Sequence, residues 1–131
     1  SYSLKGRGGY GGSGIVIVAG NSGFTVSSST TLISDTFTAN STPIKARIVV
    51  FAELPDGTSD YTISATRDNT TFDAITLTDS GYVTGSSGTK IFTGSTPLTG
   101  TASPQVQMRW KIVGSSLTSE NKIHGVSLQW A

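Results

Sequence analysis

The sequence predicts an all-β domain: an antiparallel two-sheet β-sandwich of jelly-roll or Greek-key type, with little helix. Three observations carry that expectation. Ser and Thr supply 40 of the 131 residues and Gly another 16, a composition in which Thr favours strands while Ser and Gly favour tight turns. No stretch of ten or more residues keeps a 3.6-residue apolar period free of Gly and of Ser or Thr clusters, which leaves little room for helix. Apolar alternation recurs instead in short runs at roughly 8–12-residue spacing, each bounded by turn residues, as in two-sheet sandwiches. A chain of this length is one domain and buries roughly two-thirds of its unfolded surface.

Residues 1–14, SYSLKGRGGYGGSG, are Gly-rich, and only Leu4 and two tyrosines can pack. They are expected to form an arm or linker, with the sandwich spanning residues 15–131. The glycines match neither the Walker spacing nor a Rossmann set, so nucleotide binding is not expected. Residues 15–19 and 24–26 flank Gly20-Asn21-Ser22-Gly23 and predict a short hairpin. A strand over 31–38 follows. Residues 44–53 then alternate, with Ile44, Ala46, Ile48, Val50 and Ala52 on one face and Lys45, Arg47, Val49, Phe51 and Glu53 on the other. Pro55-Asp56-Gly57 makes a turn, and Tyr61, Ile63 and Ala65 point inward from the next strand. Strands are expected over 72–78, 82–84 and 90–93, with a turn at 85–88. After a loop at 94–104, two closing strands cover 106–113 and 123–130. The last of these is expected to hold the C-terminus in a sheet with no tail beyond it. Because Ser1 stands in place of an initiator Met, the chain is expected to be a piece of a longer product.

Charge excludes several functional classes. Charged residues make up 13% of the chain and the net charge is +1, against about 25% charged residues in an average domain. The nine basic residues are dispersed among eight acids, so no nucleic-acid footprint is expected. The longest apolar run, residues 15–19, is too short to span a membrane and follows no basic-then-apolar pattern, so neither membrane insertion nor a signal peptide is expected. With no cysteine, disulfides and thiolate metal sites are excluded.

The residues that might carry chemistry are few. His124 is the sole histidine; alternation places it with Val126, Leu128 and Trp130, and it is expected to be a hydrogen-bonded sheet residue. A triad or a zinc site needs partners that are missing. Most of the eight acids fall in or beside turns, where Asp bonds the local backbone, so no catalytic residue, metal or cofactor is expected. Thr66-Arg67-Asp68-Asn69-Thr70-Thr71-Phe72 resembles an Asp-box hairpin without its Gly and one residue short. It predicts a turn held by Asp68, with Asn69 at the tip. Trp110 shares a face with Val106, Met108 and Ile112 and belongs to the core. Tyr82, Phe92 and Trp130 flank loops and are the candidate ligand-binding rings, since an exposed aromatic can stack on a sugar.

The segments around Ile63 to Asp79, Met108-Arg109-Trp110-Lys111-Ile112 and Lys122-Ile123-His124-Gly125-Val126-Ser127-Leu128-Gln129-Trp130 resemble, in order and spacing, the C-terminal β-domains of tailed-bacteriophage tail fibres. Phe72 stands where that pattern has Trp, and the hairpin Gly is missing. The match spans residues 44–130. The resemblance implies a viral protein of the virion, assembled in the bacterial host cytoplasm: a homotrimeric tail-fibre tip joined through its Gly-rich start to an upstream fibre shaft. Such a tip mediates host attachment by binding a surface polysaccharide or protein receptor and carries no enzyme site. No family-wide set of receptor-binding residues comes with it. Two alternatives remain: a carbohydrate-binding module of a secreted bacterial protein, and a purely structural virion component.

Overall fold

The computed structural model describes residues 2–4, 14–86 and 88–131, with side chains from residue 29 onward except at 87, 116, 118 and 119. Among the described residues nine strands follow in chain order: β1 Tyr2–Leu4, β2 Gly14–Ser34, β3 Phe37–Thr38, β4 Lys45–Glu53, β5 Tyr61–Thr66, β6 Asp73–Ile75, β7 Thr78–Tyr82, β8 Lys90–Pro97 and β9 Gln107–Trp130. The described residues contain no helix, and two antiparallel sheets pack against each other as a β-sandwich. Of the Gly-rich start, β1 pairs in parallel with residues 32–34 of β2; residues 5–13 lie outside the described residues.

A two-stranded ribbon runs through both sheets. β2 pairs with β9 from Gly14↔Trp130 to Ile33↔Lys111. The C-terminal half of β9 adds β4, which continues through β8 to β7. Its N-terminal half adds β5, which carries β6. Each half of one long strand therefore serves a different sheet, and the core forms between them.

This ribbon corrects two sequence expectations. Residues 15–19 and 24–26 do not fold on each other as a hairpin, because both pair with β9, and the register shifts between Ala19 and Phe24. The glycines of 20–23 accommodate an in-line irregularity rather than a reversal. Likewise the two closing strands are one. Residues 114–122 stay extended because Gly114, Leu117, Asn121 and Lys122 each oppose a β2 residue. The other boundaries shift less: Asp35 and Thr36 interrupt the strand expected over 31–38, and β7 ends at Tyr82.

The core follows the alternation of β4, β5 and β9. Ala46, Ile48, Val50 and Ala52 from β4 are buried with Ile63, Ala65, Met108, Trp110, Ile112, Val126, Leu128 and Trp130. Full burial of the Ile, Val, Leu and Met side chains among them contributes about 1.5–3 kcal/mol each. Ile44 departs from its expected face. It precedes β4, its amide donates to the Ala131 carbonyl at 2.8 Å, and its side chain is 70% exposed.

His124 also departs from its expected face, for a specific reason. In the β4–β9 register Phe51 opposes Gly125 and Ala52 opposes Ile123, so His124 is the extra residue of a bulge. A bulge shifts the alternation by one. Ile123 takes the buried position, and His124 turns outward to meet Glu53.

Candidate functional site

One end of the β7–β8–β4–β9 sheet carries a cleft of about 570 Å3, lined by Glu53, Leu54, Pro55, Gly57, Asp79, Tyr82, Gly88, Lys90, Phe92, Glu120 and Lys122. Two turns shape its rim. After β4, the Gly57 amide donates to the Leu54 carbonyl at 2.9 Å, closing the Pro55-Asp56 turn. Gly57 sits at φ +76°, a conformation that costs Gly little and other residues more. Between β7 and β8, the Val83 amide donates to the Thr89 carbonyl at 2.8 Å, and the Ser86 hydroxyl donates to the Val83 carbonyl at 2.7 Å.

Strand register gathers the charges. Glu53 lies opposite Lys122, Ala52 opposite Lys90, and Lys90 opposite Tyr82. The Lys90 ammonium donates to Asp79 Oδ2 at 2.7 Å, and the Gly81 amide donates to Asp79 Oδ1 at 2.9 Å. The Lys90 hydrogen bond, reinforced by the Gly81 amide, holds the Asp79 carboxyl below its usual range; the same bond raises Lys90. Lys90 Nζ also lies 4.9 Å from the centroid of the Tyr82 ring, within cation–π reach. Glu53 Oε2 is 2.8 Å from His124 Nε2. Among the described residues neither Glu120 nor Lys122 forms an ion pair.

The three candidate rings separate. Tyr82 is 67% exposed and stands on the cleft rim. Phe92 reaches the cleft from the core side at 5% exposure, and Trp130 is 2% exposed among Val126 and Leu128. The expectation of loop-flanking, solvent-facing rings therefore fails for Phe92 and Trp130, because strand alternation turns both inward. Sequence reasoning missed Glu53, Lys90, Glu120 and Lys122. They form no motif and meet only through long-range register. The one available signal was that Tyr82, Lys90 and Glu53 all border turn sequences.

Asp68 lies elsewhere, at the β5–β6 hairpin tip. Its Oδ1 accepts hydrogen bonds from the Thr66 hydroxyl at 3.0 Å and from the Thr70 and Thr71 amides at 3.0 and 2.8 Å. Its Oδ2 accepts from the Ala102 amide at 3.1 Å. Burial pushes this carboxyl up, but the amides of Thr71, Thr70 and Ala102 and the Thr66 hydroxyl outweigh it and hold the pKa well below the usual range. Asn69 occupies the turn at φ +60°, and its side-chain oxygen accepts from Arg109 Nη1 at 3.0 Å. Arg67 donates to the Gly100 and Pro43 carbonyls at 2.7 and 2.8 Å, tying the hairpin to two loops.

A second cleft of about 310 Å3 lies beside β5 and β6, lined by Thr58, Ser59, Tyr61, Thr62, Ile63 and residues 74–77, with no charged side chain. Burial, with the negative charges of Asp56 and Asp60, pushes the Tyr61 phenol up to about 12, so it is neutral at physiological pH. Among the described residues no group of three or more His, Cys, Asp or Glu is placed to hold a metal ion. No protein-family model and no curated protein matches the sequence.

Proposed function

We propose that the domain is a bacteriophage tail-fibre tip that attaches the virion to a receptor on the host-cell surface, with the Tyr82 cleft as its point of contact. The observation that carries this proposal is the exposure of the Tyr82 ring at 67% on the rim of a cleft rich in hydrogen-bonding groups. A ring held out in solvent beside fixed donors and acceptors offers apolar area to a ligand and specificity around it. The resemblance of residues 44–130 to tail-fibre C-terminal domains supports the viral setting. The function is binding without turnover and without a cofactor. In a homotrimer on a fibre shaft, three weak sites would combine into useful avidity.

A carbohydrate-binding module of a secreted bacterial protein is the second reading, favoured by the same ring. The two differ in the target. Fluorescently labelled domain, applied to a panel of bacterial strains, is expected to stain a subset saturably and to block adsorption of the cognate phage. Staining that falls with Tyr82→Ala supports the cleft. A domain that stains no strain yet binds purified virions is a structural component, and that result overturns the proposal.

A further inference from the structure

We propose that the ligand of the Tyr82 cleft is an uncharged sugar residue presenting neighbouring hydroxyl groups; this rests on the receptor-site proposal and specifies its chemistry. The cleft lining carries three carboxylates, Glu53, Asp79 and Glu120, and two ammonium groups, Lys90 and Lys122. An anionic ligand would meet the carboxylates. A cationic one would meet both lysines and would compete with Lys90, whose Nζ already lies 4.9 Å from the Tyr82 centroid.

Two of the acids are engaged within the protein, Asp79 by Lys90 at 2.7 Å and Glu53 by His124 at 2.8 Å. That leaves Glu120 as an acceptor and Lys122 as a donor without an ion-pair partner among the described residues. They stand two positions apart on β9, on one side of the strand, while Asn121 between them is buried. A hydroxyl group both donates and accepts, so a pair of adjacent hydroxyls can satisfy a carboxylate and an ammonium together. A pyranose also has an apolar C–H face, which suits the exposed part of the Tyr82 ring. The cleft volume of about 570 Å3 lies within the ~300–1,000 Å3 typical of small-ligand sites.

The test uses surface oligosaccharides released from a strain that the domain stains, separated by anion exchange into neutral and acidic fractions and titrated calorimetrically against the intact chain. The neutral fraction is expected to bind, with affinity nearly unchanged between roughly 0.05 and 0.5 M salt. Tyr82→Ala should weaken it about tenfold or more, and Lys122→Met severalfold. Binding of the acidic fraction alone, weakened by salt, overturns the neutral-sugar inference while the receptor proposal stands. So does binding of neither fraction by a domain that still stains protease-sensitive sites on cells. Staining of no strain in the panel defeats the receptor proposal itself, and the neutral-sugar inference with it.

Discussion

Asp68 and Asp79 are both turn aspartates that accept backbone amide hydrogens, yet they belong to opposite kinds of site. Asp68 is 4% exposed, and its two oxygens take three amides and a hydroxyl from two separate segments. Asp79 is exposed, holds one amide, and takes the Lys90 ammonium on its other oxygen. The first carboxylate closes a structural corner, with both of its oxygens taken by donors of the protein itself. The second leaves an exposed ion pair beside an exposed ring. What separates scaffold from candidate site is thus how completely the polar atoms are consumed, and not the type of residue.

The contrast breaks most sharply at Asp68. Replacing it with Ala removes the acceptor of three part-buried amides and of the buried Thr66 hydroxyl, and each group left unpaired away from water is costly. Asp68→Ala is expected to lose about 3 kcal/mol of unfolding free energy in urea titration. A loss near zero would mean that the loop around Ala102 relaxes to water. Gly100 gives the next effect. A Cβ built there would lie 2.4 Å from Asp68 Cγ and Oδ2 and 2.6 Å from Oδ1, so Gly100→Ala should cost about 1–3 kcal/mol by forcing the corner apart. The same denaturation experiment checks it.

Acid sharpens the comparison further. The folded-state pKa of Asp68 lies below its unfolded value, so the unfolded chain binds the proton first. Its stabilisation is complete above the ordinary carboxylate range and is lost as pH falls through that range toward the lower native value. Midpoints followed from about pH 6 down to about pH 2 should fall, and Asp68→Asn should flatten that slope. The smallest stability effects belong to the cleft. Tyr82→Ala and Asp79→Asn should leave the thermal midpoint nearly unchanged, because both side chains are exposed and exposed ion pairs contribute little. A marked drop would make the cleft part of the scaffold.

The Asp68 corner was readable in sequence because its signal is local. Thr66, Asp68, Thr70 and Thr71 lie within six positions, and a short Asp side chain reaches only nearby amides. Its bond to Ala102, 34 residues away, was not readable. Alternation similarly placed Ile48, Val50, Ile63 and Trp110 in the core, since a strand period of two needs no knowledge of partners. The lengths of β2 and β9 escaped because Ser- and Thr-rich segments become strands only when another chain segment supplies the hydrogen bonds. His124 escaped because a one-residue bulge reverses every face after it. The cleft escaped for the same physical reason: Glu53, Tyr82, Lys90 and Lys122 meet through β4–β9, β4–β8 and β7–β8 register, which is tertiary information.

The most direct measurement of the difference between the two aspartate sites is amide chemical-shift mapping by NMR with the surface polysaccharide of a stained strain. Shifts concentrated at residues 53–57, 79–90 and 120–124, with residues 66–72 and 98–102 unmoved, are the expected result. Shifts centred on the Asp68 corner, or spread over the uncharged cleft beside Tyr61 with the Tyr82 region silent, would contradict it.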